Sequence, residues 1–279
     1  MAANIAGIDH AIIGVRDLDQ AKAAFERLGF RATPRGRHEG WGTANYCLMF
    51  EQDYLEILGI LDPKAFTNNL DTFLKSREGM MSIALQSTDP EATRQAWLEA
   101  SLKPADVKDL SRLLEPNTEL QFKNVMLDAD KTAGIPLFAC AHLTPEPMRQ
   151  PGWTEHPNGA IGINAITILT PEPKSFVEPM SRVFGEPRLT ETDNTLAVHT
   201  GRGVLLFATP DDLDMLHPQL AADLDQDKVS IAVLSLRVRS LTAVADWLDH
   251  QGIHFKREAS GAIGVGAEEA HGVMLEFTA

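Results

Sequence analysis

Cysteine is nearly absent from this chain. Cys47 and Cys140 are the only two in 279 residues. That excludes a disulfide framework and suits a reducing compartment, so a cytoplasmic location is expected. Long apolar runs are missing as well, and none reaches the ~18 residues of a spanning helix. The N-terminus has no basic stretch followed by an apolar one, so no secretory leader is read there. Positive charge is scarce, with 25 Lys and Arg against 39 Asp and Glu and a net charge of −14. The mean field repels nucleic acid and anionic membrane, and neither is expected as a partner. No nucleotide-binding glycine loop, Walker pattern, Gly-x-Ser-x-Gly elbow or zinc-ribbon cysteine pairing occurs. Gly261-Ala262-Ile263-Gly264-Val265-Gly266 is glycine-rich but has no helix after it, so it reads as a hairpin.

What is present is a large core and a repeat. Hydrophobic residues make up 44% of the chain, and the length suits about two domains. Residues 8–15 form a strand-like apolar run, with Asp17 or Asp19 as helix N-cap. Leu18, Ala21, Phe25 and Leu28 then fall at helical spacing and Gly29 is a stop. Short alternating stretches at 41–50 and 54–60 follow. Shifted by 72 residues, 79–102 aligns with 7–30 without a gap, placing Asp89 on Asp17 and Trp97 on Phe25. Strands at 120–127 and 135–142 end that unit, and 103–117 reads as an insertion. A third unit begins at 162, with a helix over 174–184 closed by Gly185. A fourth begins at 229, with a helix over 241–250 closed by Gly252. Repetition of this length argues for duplicated modules that must pair to bury their sheet faces.

Two residues break the apolar pattern. His10 stands in Ile8-Asp9-His10-Ala11-Ile12, and Glu56 in Tyr54-Leu55-Glu56-Ile57-Leu58. A carboxylate among aliphatics costs several kcal/mol unless it is paired or bound to a cation. Strand alternation puts Thr43, Asn45 and Cys47 on one face. His38 is a candidate general acid or base. Arg35 and Arg37 are candidates for bidentate pairing with a substrate carboxylate, and Trp41 and Asn45 are candidate substrate contacts.

The run 8–18, the stretch Gly36-Arg37-His38-Glu39-Gly40-Trp41-Gly42-Thr43-Ala44-Asn45, Tyr54-Leu55-Glu56, and His142-Leu143-Thr144-Pro145-Glu146 with His156-Pro157-Asn158-Gly159 together resemble the vicinal oxygen chelate superfamily. The likeness is to its glyoxalase-like branch and covers essentially the whole chain. It implies an α+β fold of four βαβββ modules paired into two glyoxalase-like domains with curled mixed sheets. The expected boundaries are 1–145, a turn-rich linker at 146–160, and 161–279. It also implies a cleft metal held by residues of first and last strands: His10, Glu56 and His142, with Ser82 in the fourth position. Two imidazoles and a carboxylate suit one divalent ion: Fe, Mn, Zn, Co or Ni. The equivalent positions in the second pair are Asn164, Leu206, Val233 and Glu276, a degenerate set. Extradiol dioxygenases keep their metal in the C-terminal pair, the reverse of this arrangement.

The function expected is a metal-dependent isomerase or lyase. Its substrate is a small vicinally oxygenated molecule chelated to the ion, with Glu56 and His38 catalytic and Arg37, Trp41 and Asn45 contacting substrate. Two alternatives are an Fe(II) extradiol-type dioxygenase and a non-catalytic small-molecule binding or resistance protein. The partner expected is a small molecule, with the chain as a monomer or homodimer.

Overall fold

The first unit is built as its apolar spacing dictates. In the computed structural model, which describes residues 4–217 and 228–279, β1 (Ile5–Gly14) leads into α1 (Leu18–Arg27), then β2 (Gly36–His38), β3 (Thr43–Met49) and β4 (Tyr54–Ile60). Residues 1–3, part of the stretch read for a leader, lie outside the described residues. Asp17 is the α1 N-cap, accepting from the Asp19 and Gln20 amides at 3.1 and 2.9 Å. Gly29, at φ +90°, ends the helix in a conformation that disfavours any side chain.

The second unit repeats this order as β5 (Gly79–Ser87), α3 (Pro90–Glu99), β6 (Lys108–Leu114), β7 (Thr118–Met126) and β8 (Leu137–His142). Asp89 caps α3 as Asp17 caps α1. The matched Phe25 and Trp97 are both fully buried. A short helix, α2 (Leu70–Ser76), joins the two units. Residues 103–117 are not an insertion: seven of them form β6, the counterpart of β2. The inward positions of β6 are Leu110, Arg112 and Leu114, and the arginine in the middle hides the apolar alternation.

The third unit is β9 (Ala160–Leu169), α4 (Val177–Phe184), β10 (Leu189–Glu191), β11 (Thr195–His199) and β12 (Val204–Ala208). After α5 (Pro210–Leu216) comes the fourth: β13 (Ser230–Val238), α6 (Leu241–His250), β14 (Lys256–Arg257), β15 (Ile263–Val265) and β16 (Met274–Thr278). The glycine-rich 261–266 stretch contributes β15, paired with β14 as a hairpin. None of the described helices is long and apolar enough to cross a membrane.

The two pairs of modules close differently. Strands of the first pair run β1-β4-β3-β2-β6-β7-β8-β5 and return to β1, making a closed barrel. Its last seam is β2 against β6, pairing Gly36 with Leu114, Arg37 with Leu113 and His38 with Arg112. The second pair is an open sheet, β10-β11-β12-β9-β13-β16-β15-β14. Its edge strands have three and two residues, too short to offer much pairing surface.

One continuous apolar core covers the outer face of the barrel, its helices and the facing side of the second sheet. Trp97 on α3 donates from Nε1 to the Val183 carbonyl, 3.1 Å away in the last turn of α4, where no intrahelical donor is left. Asn158 does more than form a turn: it donates to the Leu28 carbonyl and accepts from the Ala160 amide, both at 3.0 Å. His156 accepts from the Arg31 amide and donates to the Met49 carbonyl, both at 2.9 Å. Burial pushes that imidazole down to about 4, so it stays neutral in this role. A second, smaller cluster fills the barrel interior.

Candidate metal and substrate site

Alternation along the barrel strands decides what faces the interior. β1 contributes His10 and Ile12, β4 contributes Tyr54, Glu56 and Leu58, and β6 contributes Leu110 and Arg112. Together with β7 and β8 they enclose a cavity of about 50 Å³. Pockets for drug-sized ligands hold ~300–1,000 Å³, so this barrel takes only a few heavy atoms as it stands.

His10 and Glu56, both under 5% exposed, meet inside it with Nε2 and Oε2 3.4 Å apart. His10 stacks on Tyr54, with ring centroids 4.4 Å apart. Its Nδ1 lies 2.6 Å from Asp9 Oδ2. Neighbours on a regular strand point to opposite faces, but β1 shifts register against β5 between Ile8 and His10, as at a β-bulge. The shift lets Asp9 and His10 meet. Burial alone pushes Asp9 upward, but His142 and His10 outweigh it and hold the carboxylate ionised, well below the usual range. An ionised carboxylate only accepts, so the Nδ1 proton of His10 belongs to this bond. In a neutral ring Nε2 then turns its lone pair toward Glu56.

Glu56 is held on its other oxygen. Asn45 Nδ2 donates to Oε1 at 2.6 Å, and His38 Nε2 stands 3.6 Å from it. Burial raises the Glu56 pKa, yet His38, His10, Arg112 and the Asn45 bond outweigh it and leave Glu56 below its ordinary value. Burial drives His38 down to about 4, so it is neutral at pH 7. Its Nδ1 lies 2.9 Å from Thr43 Oγ1, which leaves Nε2 toward Glu56. A side chain at Gly36 would put Cβ 2.4 Å from Asn45 Oδ1, so only glycine lets β2 pass this close.

These residues fit a cation. Two electron-pair donors face each other in a buried interior, with a carboxylate behind the imidazole to orient it. Ligands ~2.1 Å from one ion at a tetrahedral angle stand ~3.4 Å apart, which matches the observed 3.4 Å spacing. His38 Nε2 is the nearest further imidazole donor beside Glu56.

The structure does not place all the expected residues there. His142 makes no ion pair with Glu56; its Nε2 lies 2.9 Å from Asp9 Oδ2, behind His10. Register is the reason. Ile12 pairs with Glu56, and Ala84, its counterpart 72 residues on, pairs with Phe138. Phe138 therefore holds the position equivalent to Glu56, and His142 lies four residues further, ~13 Å along the strand. His142 groups instead with Asp9 and Cys140, their ligand atoms within 4.8 Å of one another. Burial raises the Cys140 thiol well above its ordinary value, which keeps it a neutral, poor ligand. Ser82 is buried on β5 opposite Ile12 and does not line the cavity.

Arg37 is exposed, because it alternates with inward Gly36 and His38 on β2. It faces a surface pocket of about 330 Å³ that shares only His38 and Trp41 with the cavity. Trp41 packs on His38 and on Phe66, at 5.5 and 5.0 Å between ring centroids. Arg35 is taken up by Asp19 and Tyr46 on the outer side. The guanidinium inside the barrel is that of Arg112, 3% exposed, donating from Nη1 to Cys47 Sγ at 3.1 Å. Sequence reading missed it, as it missed Asp9 and Asn124. Asp9 alone carried a signal, being a second ionisable residue in the run that holds His10.

In the second sheet Asn164 is exposed and donates to Thr278 Oγ1 at 3.2 Å, while Leu206 and Val233 supply no donor. Glu276 is 6% exposed and accepts from Ser235 and from His217 Nδ1, the latter at 2.9 Å. His217 has no ligand spacing in the sequence, yet it brings its Nε2 to Thr167 Oγ1 at 2.9 Å. With Glu258 these form a second group of ligand types within 4.8 Å. Glu276, unlike the His10–Glu56 pair, already has hydrogen-bond donors on both oxygens.

Comparison with known proteins agrees with this architecture. No curated protein matches by sequence. By structure the chain is similar to a hypothetical protein from Staphylococcus aureus, with a TM-score of 0.68 and 12% identity over 97% of this chain and 98% of that one. It is similar to a mutant 4-hydroxymandelate synthase from Streptomyces coelicolor, with a TM-score of 0.59 and 12% identity over 98% and 92%. A xylose isomerase-like TIM barrel/4-hydroxyphenylpyruvate dioxygenase fusion protein gives 0.58 and 14% over 99% of this chain and 49% of that one. At such identities the likeness shows the fold alone. The family model described as a glyoxalase-like domain matches residues 8–184, well over half of the sequence. With that match, and with four βαβββ modules paired about two sheets, the chain belongs to the glyoxalase-like branch of the vicinal oxygen chelate superfamily.

Proposed function

We propose that this chain is a metal-dependent enzyme of the isomerase or lyase type, acting inside the barrel on a small substrate with two neighbouring oxygens. The observation that supports it most is the buried His10 Nε2–Glu56 Oε2 pair at 3.4 Å, two lone-pair donors with Asp9 fixing the imidazole. His10 and Glu56 would hold one divalent ion. When bound, the ion supplies Lewis-acid stabilisation of an enediolate-type oxyanion. Asn45 keeps Oε1 of Glu56 in place, and the ionised Glu56 would take a substrate C–H proton on Oε2, once that oxygen loosens from the ion, and return it to the neighbouring carbon. His38, neutral at pH 7, offers Nε2 as a base at the mouth of the cavity. Trp41 and the closed barrel keep bulk water from the reacting atoms.

Elemental analysis of purified protein tests this reading. One ion per chain is expected in the natural protein and in His142→Ala, and its loss in His10→Ala and in Glu56→Ala. Retention in His10→Ala with loss in His142→Ala would move the ion to Asp9, Cys140 and His142. Oxygen uptake with catechols would point to a dioxygenase. Ligand binding unchanged by chelator, with no metal in any variant, would leave a binding protein.

A further inference from the structure

Beyond helping to keep Glu56 ionised, Arg112 has no part in the chemistry above, and its surroundings are unusual. It is 3% exposed, lies inside the barrel and forms no ion pair among the described residues. Its Nη1 donates only to the Cys47 thiol, which burial pushes up to about 11 and so keeps uncharged. Its Nε is buried with no acceptor. The Phe122 ring, 5.4 Å from the guanidinium carbon, supports the side chain without neutralising it. One strand away, Asn124 is 9% exposed, lines the same cavity, and its Oδ1 has no donor. Buried polar groups are nearly always partnered, and an unpaired buried cation costs most of all. Arg112 and Asn124, each carrying a buried polar atom without a partner, thus line the same cavity as the His10–Glu56 pair.

We infer that Arg112 and Asn124 form the subsite for the substrate's own anionic end, and that the substrate class is a small hydroxycarboxylate. The carboxylate accepts from Arg112 and a hydroxyl donates to Asn124 Oδ1. The cavity of about 50 Å³ restricts the class to short chains. A fixed guanidinium fork suits a carboxylate better than a single hydroxyl. The seam that pairs His38 with Arg112 sets this subsite beside the proposed base. The identification of the bound molecule as substrate rests on the proposed function; the binding of a carboxylate at Arg112 does not.

The test is calorimetric titration of chelator-treated protein with glycolate, L-lactate and D-glycerate, beside lactamide as the uncharged control. At least one carboxylate should bind, and lactamide should not. Arg112→Gln should weaken that binding about ten- to a hundredfold, as expected for loss of a charged hydrogen bond. Arg112→Lys should recover part of it. Asn124→Asp, which keeps the shape and adds a negative charge, should weaken it independently of any folding defect in the Arg112 variants. Equal binding of lactate and lactamide, unchanged binding in Arg112→Gln, or no carboxylate binding at millimolar concentration would overturn the assignment. Metal analysis of the same proteins as purified, before chelator treatment, separates the two readings. Metal present with Arg112-independent binding sinks only this one; Arg112-dependent binding with no metal at His10 sinks only the other.

Discussion

Asp53 gives the clearest quantitative test of how the two halves are joined. It lies just before β4, is 4% exposed, and accepts the Ile163 amide of β9 at 3.0 Å. Burial raises its pKa from 3.8 to about 6, against the pull of that amide and of Arg202 and Arg237. The sign follows from proton binding. Between pH 3.8 and 6 the unfolded chain has lost the proton that the folded chain still holds, so stability falls as pH rises through that window. The shift of 6 − 3.8 = 2.2 units, at ~1.36 kcal/mol per unit, amounts to about 3 kcal/mol. Asp53→Asn keeps an acceptor for Ile163 and cannot ionise. It should match the natural protein below pH 4 and exceed it by about 2–3 kcal/mol above pH 6. Urea denaturation at intervals from pH 4 to 8 reads this directly. A constant difference across the range, or a variant less stable at pH 8, would mean that the two arginines hold Asp53 ionised and that burial does not govern it.

Two further outcomes follow from the contacts described. Trp97→Phe keeps the ring in the core but orphans the Val183 carbonyl, and should lower stability by about 1–3 kcal/mol; Trp97→Ala should cost about 3–5 kcal/mol. Chemical denaturation with linear extrapolation checks both. In metal-free protein the His38 ring should stay neutral as pH falls from 8 to 5 and gain its proton only near 4. Ring nitrogen NMR shifts follow this, and a midpoint near 6.5 would show that burial does not control it.

The repeat carries most of what the chain reveals by inspection. Asp17 and Asp89, Phe25 and Trp97, and the stops after each helix recur because each module must cap one helix and bury one face of it. His10 and Glu56 stood out for a related reason: an ionisable side chain on the buried face of a strand is costly enough to be visible as an exception. The short helices α2 and α5 gave no such signal, since seven residues hold too few turns for a periodic pattern. β6 was hidden by its own inward arginine.

Amino-acid order alone determined the modules, their caps and the two residues that break the apolar pattern, because these depend on spacing within one strand or helix. The tertiary structure decided the rest. Register between β5 and β8 put Phe138 where His142 was expected. A bulge in β1 turned Asp9 to His10, and the β2–β6 seam carried Arg112 rather than Arg37 into the barrel. A one-residue change of register or a single bulge reverses which face a side chain occupies, and pairing between strands distant in sequence sets both.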